Sequence, residues 1–269
     1  MMLKYSYEDK TKPPELLIKE DNLKESLLNF PNVYHILQSL TSKSAHDNFD
    51  FERYEIMGDC FLKLVTVMKI YLQFTNTSEG NIACLKSQRV SNKYLYKLAV
   101  SKNLNDYIIS ENFQPKVNWI IPNQLYTGDE IFKFNLSDKS LADCVEALIG
   151  CYLIHSGPNS ARAFIQWLDF KVSDQEGKAD LIITEKLPEP LLAPLPDSFN
   201  MSNYEFFAKT ILNYEFKNIV YLYQAFTHPS YTKNRYTASY QKLELIGDAV
   251  IDVLVTQYIY SDKKEHSPG

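Results

Sequence analysis

Residues 51–65 read FERYEIMGDCFLKLV, and residues 240–254 read YQKLELIGDAVIDVL. Both hold Glu-x-x-Gly-Asp in an apolar frame: Glu55, Gly58 and Asp59 in the first, Glu244, Gly247 and Asp248 in the second. On a helix, positions i and i+4 share a face. Each stretch therefore sets two carboxylates side by side on a segment apolar enough to be buried. Such a pair is costly unless its charge is offset, and a divalent cation is the usual compensation. Paired acids on a helix more often mark a solvated face or ion-pair partners. That plainer reading weakens with Ile56, Met57, Phe61, Leu62 and Leu64 around the first pair, and again with the repeat.

Outward from these stretches, the duplication continues. LQSLTSKS at 37–44 resembles YQAFTHPS at 223–230, each a similar distance upstream of its acidic segment. Two related, mostly α-helical blocks are expected, with the second cut short by Gly269. Residues 1–22 are polar and carry Pro13 and Pro14, as a leading segment would. Helical periodicity starts near Leu23 and passes Leu40, and the first acidic helix is expected to reach about Phe74. A helix or pair of helices follows over 82–100. Residues 111–135 show no clean period and read as an insertion loop. Ser137 and Asp138 are N-cap candidates for a helix ended by Gly157 and Pro158, with one more helix to about Leu168. Residues 171–200 are charged and proline-rich, like an interdomain linker. The first block is thus 23–170 and the second 201–269. Alternating β patterns are almost absent.

Composition bounds the chemistry. With 45% apolar residues the chain can build a core, and with only 8 glycines and no GxGxxG or GxxxxGK[ST] a nucleotide-binding fold has no support. Cys60, Cys84, Cys144 and Cys151 form no CxxC pair and read as buried thiols in a reducing, intracellular (cytoplasmic) setting. No signal peptide or membrane span is evident. A net charge of −5 weighs against a generally basic nucleic-acid-binding surface, although a local basic stripe stays compatible with it.

Asp143 and Glu146, in ADCVEALIG, form a further acidic pair at i,i+3. Joined with Glu55 and Asp59, they would make an all-oxygen cage from two helices. Hard ligands of this kind suit Mg²⁺ or Mn²⁺, and Cys/His spacing for zinc is lacking. Such a cage fits phosphodiester hydrolysis.

At this point FERYEIMGD and YQKLELIGD resemble the ribonuclease III signature, and DKSLADCVEALIGCYL resembles that family's second acidic motif. FTHPSY at 226–231 is similar to the stretch that precedes the signature. Two such blocks, with VNW (Val117 to Trp119) in an insertion, resemble the paired nuclease domains of Dicer enzymes, the insect type that processes long double-stranded RNA above all. The resemblance implies an all-α fold in one complete and one partial copy. It implies that two domains pair over duplex RNA, each cutting one strand with Mg²⁺ or Mn²⁺ to leave 5′-phosphate, 3′-hydroxyl and a two-nucleotide 3′ overhang. It maps the ligand acids onto Glu55, Asp59, Asp143 and Glu146, and in the second copy onto Glu244 and Asp248, whose partners would lie on a later helix. Double-stranded RNA, and possible proteins that bind it, are the implied partners.

Departures from the pattern accompany it. LTSKSA stands at 40–45 where the second block has FTHPSY, and Glu52 becomes Gln241. Lys86, Arg89, Lys93 and Lys97 fall in one arc if 86–98 is a single helix, as either a phosphate-facing stripe or a solvated face. Lys139, four residues before Asp143, would contact a scissile phosphate, offset the carboxylates, or simply be a surface lysine. His228 reads as a turn or packing residue before Pro229 rather than a general base. Two competing readings stay open: a catalytically silent module of the same fold that binds double-stranded RNA or dimerises, and an all-α phosphohydrolase acting on small molecules. The second lacks a well-placed His-Asp dipeptide, since His46-Asp47 stands alone in a polar loop.

Overall fold

The computed structural model describes residues 30–110, 137–172, 188–196 and 199–261. Among them the structure is all-α: α1 (Val33–Ser39), α2 (Glu52–Gln73), α3 (Glu79–Arg89), α4 (Asn92–Ser101), α5 (Asp138–Trp167), α6 (Ser202–Thr210), α7 (Val220–Ala225) and α8 (Gln241–Ser261). No strand occurs among the described residues, only two isolated bridges, Thr41 with Ile109 and Leu191 with Thr237. The expected start of α1 near Leu23 and the insertion at 111–135 lie outside the described residues.

Helix boundaries follow local chemistry. Ser137 caps α5 by accepting from the Ser140 N–H at 3.1 Å, and Ser78 and Ser91 cap α3 and α4 in the same way. Gly157 interrupts α5 with φ 86° and ψ 173°, backbone that a side chain would strain, and Pro158 then restarts the helix. The break predicted at this dipeptide is thus present as a kink, where one helical stretch ends and the next begins. Val90 and Ser91 separate α3 from α4.

The core lies between α2 and α5. Leu62, Val65 and Ile70 on α2 meet Val145, Leu148 and Ile149 on α5, all nearly sealed from solvent. Burial of this kind contributes roughly 1.5–3 kcal/mol per large aliphatic side chain. Cys144 and Cys151 belong to this core, but Cys60 is half-buried and Cys84 is exposed. The reading of all the cysteines as buried fails at Cys84 because it faces outward on the short amphipathic α3.

Matching hydrogen bonds precede the two acidic helices. Thr41 Oγ1 donates to the Leu37 carbonyl at 2.8 Å, and Thr227 Oγ1 donates to the Tyr223 carbonyl at 2.9 Å. The Phe51 N–H donates to the Thr41 carbonyl at 2.9 Å, as the Tyr240 N–H does to that of Thr227 at 3.0 Å. Gln38 Nε2 reaches the Asp50 carbonyl at 3.1 Å, and Gln224 Nε2 reaches that of Ser239 at 3.2 Å. The same three bonds thus fasten the turn to each acidic helix.

α8 lies antiparallel against α2. Arg53 Nη2 donates to the Tyr260 carbonyl at 3.0 Å, Cys60 Sγ lies 3.4 Å from Thr256 Oγ1, and Lys242 Nζ donates to the Thr75 carbonyl at 2.8 Å. Arg53 also covers the Tyr260 ring, 4.7 Å from its centre. On the far side of α8, Ile251 and Leu254 are 58% and 59% exposed, whereas their counterparts Leu62 and Val65 on α2 are 0% and 3% exposed beneath α5.

Candidate metal centre

Two glycines decide how closely the acidic helices approach. A Cβ at Gly58 would sit 1.8 Å from the Glu146 carbonyl oxygen, and one at Gly150 would sit 2.0 Å from that of Tyr54. Only glycine leaves the backbones room to touch there. Glu55 lies three residues before Gly58, and Glu146 four before Gly150, so each acid stands about one turn from the contact. Close approach of the helices thereby brings the acids face to face.

The result is a cluster. Glu55, Asp143 and Glu146 each offer a carboxylate oxygen, all within 4.8 Å of one another. Glu55 and Asp143 also border an open depression of about 360 Å³ with Lys43, Glu52 and Lys139. Burial pushes the Glu146 carboxyl up to about 8, with the charges of Asp59, Asp143 and Glu55 adding to the shift. Burial and then Asp143 push Glu55 up to about 7. Carboxyls held this high are short of positive charge. Hard oxygen donors, mutual repulsion and an open mouth fit a divalent cation that keeps part of its water shell.

Basic side chains rim the cluster. Lys139 Nζ pairs with Asp143 Oδ2 at 2.7 Å and Lys63 Nζ with Asp59 Oδ2 at 2.6 Å. Asp59 lies outside the group of three, turned to this lysine along its own helix. Lys43 pairs with Glu52 at 3.0 Å. This places LTSKSA beside the depression, with its lysine facing the acid that becomes Gln241 in the second stretch.

The remaining sequence-predicted residues are dispersed. Glu244 and Asp248 are exposed on α8, and no described residue completes a cluster with them. Nothing lies within 4 Å of where a Cβ of Gly247 would be, in contrast to its counterpart Gly58. Lys86, Arg89, Lys93 and Lys97 do not share one helix, because α3 ends at Arg89 and α4 begins at Asn92. Arg89 is buried with its guanidinium 5.1 Å from the Tyr94 ring centre, while Lys93 and Lys97 are exposed together on α4. His228 is a turn residue: its Nδ1 lies 2.7 Å from Ser230 Oγ and accepts from the Ser230 N–H at 3.1 Å.

Two features escaped the sequence reading. Lys63 stands four residues after Asp59, the offset that singled out Lys139 before Asp143, so the same arithmetic would have found it. Tyr54 is the other. Its buried hydroxyl lies 3.0 Å from His35 Nδ1 and 2.7 Å from His155 Nε2, and those two imidazoles stack with centres 3.6 Å apart. The three residues are too far apart in sequence for any spacing rule to join them.

Residues 52–157 match the Ribonuclease III domain family. Over 89% of its length the chain is 30% identical to the Drosophila melanogaster endoribonuclease Dcr-1, of which it spans 15%. It is 31% identical to the Arabidopsis thaliana endoribonuclease Dicer homolog 2, with 95% of this chain and 18% of that protein aligned. The nuclease domain of Campylobacter jejuni ribonuclease III aligns with 52% of the chain and 87% of that domain, at 25% identity and a TM-score of 0.42. No described helix is long and apolar enough to cross a membrane.

Proposed function

Residues 52–157 are a ribonuclease III domain, and on that premise we propose that the chain is the nuclease portion of a Dicer-like enzyme that hydrolyses double-stranded RNA with Mg²⁺. The observation that carries this reading is the convergence of Glu55, Asp143 and Glu146 within 4.8 Å at a crossing fixed by two glycines. Asp59 is the fourth acid of the set. A bound Mg²⁺, or Mn²⁺ in its place, supplies Lewis-acid activation of the phosphodiester and of water. The chain's own part is to hold the carboxylates in register, receive a backbone phosphate of the duplex at the open depression, and keep Lys139 beside Asp143 for a phosphate oxygen.

The domain plan follows the repeat. Residues 23–170 are the first ribonuclease III domain, 171–200 the linker, and 201–269 the front portion of a second domain. Its acids, Glu244 and Asp248, await partners on a helix that covers Gly247, Ile251 and Leu254 as α5 covers their counterparts on α2. The α2–α8 packing is the pairing of the two domains, each cutting one strand to leave 5′-phosphate and 3′-hydroxyl ends in short interfering or micro RNA duplexes. Lys93 and Lys97 are the pair on α4 best exposed to reach phosphates of the backbone.

Incubation of the chain with end-labelled blunt duplex RNA and Mg²⁺ tests this function. Cleavage that falls by about a hundredfold or more in Asp143→Ala is the expected result. Saturable Mn²⁺ binding lost in Asp143→Ala, with no cleavage, would mean a formed site without its paired domain, whereas neither cleavage nor saturable Mn²⁺ binding would point to the silent module. Cleavage unaffected by Asp143→Ala would overturn the assignment of the site.

A further inference from the structure

Lys63 has no place in a carboxylate cage, yet it touches one of the acids. Its Nζ holds Asp59 Oδ2 at 2.6 Å across one turn of α2, and both side chains are partly sheltered, 38% and 28% exposed. Glu55, Asp143 and Glu146 converge without Asp59. Asp59 is nonetheless near them, one turn after Glu55 on α2 and next to Gly58, whose backbone meets that of Glu146. One aspartate thus stands between a lysine on its own helix and an acidic cluster across from it. Rotation about its side-chain bonds separates the two arrangements.

We propose that Lys63 is a positioning residue that latches Asp59 away from the cation site, so that a divalent ion completes its ligand set only by displacing the Lys63 ammonium from that carboxylate. The inference rests on the cation-site reading above. An ammonium and a divalent cation on one carboxylate repel each other, so the latch weakens binding to an empty site and competes for Asp59 until the ion is seated. The device is confined to one copy of the repeat. At the position of Lys63 the second stretch has Asp252, so Asp248 has no lysine one turn on.

Electron paramagnetic resonance of free Mn²⁺, titrated against the metal-free full chain, tests the latch without recourse to cleavage. Lys63→Gln should bind Mn²⁺ about fivefold more tightly than wild type, the factor that corresponds to about 1 kcal/mol, the upper end for a partly exposed ion pair. Lys63→Arg should return the wild-type affinity. Unchanged or weaker binding in Lys63→Gln overturns the latch and leaves the cation site standing. Failure of wild type to bind Mn²⁺ in a manner that Glu146→Gln abolishes overturns the cation site, and the latch with it. A readout on wild type covers the case in which Lys63→Gln does not fold. The Lys63 ε-CH₂ NMR resonance should shift with the same midpoint as Mg²⁺ binding, and a resonance unmoved at saturation overturns the proposal.

Discussion

Glu55 and Glu146 show what the helical crossing does to a carboxyl. Their values of about 7 and about 8 stand above the ordinary 4.5, so the fold retains protons that the unfolded chain releases. Their contribution to stability is therefore fully present below about 4.5 and is lost as pH rises through about 7 and then about 8. The metal-free chain should lose melting temperature across that window, and Mg²⁺ should restore more of it at the alkaline end, where cation and protons no longer compete. Thermal denaturation with and without Mg²⁺ at several pH values checks both. Isothermal titration in two buffers of different ionisation enthalpy should also show protons released at neutral pH as Mg²⁺ binds. The acids themselves were legible in the sequence, because helical spacing fixes which side chains share a face. Their protonation was not, since it depends on burial between two helices about 90 residues apart.

Between elements, the contact of α2 with α5 is made by backbone atoms at Gly58 and Gly150. Gly58→Ala should cost about 3 kcal/mol or more, since the added carbon meets a carbonyl that cannot swing aside. It should also weaken Mn²⁺ binding, because the acids separate with the helices. Gly247→Ala, at the matching place on α8, meets nothing within 4 Å and should stabilise the chain by about 1 kcal/mol through helix propensity alone. Urea denaturation of the two variants gives opposite signs if this account holds. The sequence shows both glycines in equivalent motifs. What separates them is a neighbouring helix present on one side and absent from the described residues on the other, which no local pattern encodes. Of the helix or pair of helices expected over 82–100 the pair forms, and the basic arc that needed one helix is lost for a local reason: Ser91 caps, and a new helix starts at Asn92.

At the scale of the molecule, the repeat in the sequence becomes an antiparallel pair of acidic helices. Cys60 Sγ and Thr256 Oγ1, 3.4 Å apart, offer a direct probe of that packing. Thr256→Cys in a Cys84→Ser background should form an intramolecular disulfide with Cys60 under mild oxidation, visible as a faster-migrating monomer on a non-reducing gel. Failure to form it would contradict the observed register. The repeated stretches in the sequence carry matching hydrogen bonds around Thr41 and Thr227. The repeat said nothing of how one block lies on the other, since that depends on contacts such as Arg53 with Tyr260 that join the start of one helix to the end of the other. The register also acts as a ruler. Cys60 stands opposite Thr256, which lies eight residues beyond Asp248. Asp59, one residue before Cys60, adds a further step in the opposite direction, so at the rise of an α-helix Asp59 and Asp248 are offset by about 13–14 Å along the pair. That spacing is written in backbone count, so the distance between the two acidic stretches is fixed by how the helices align and by no side chain in between.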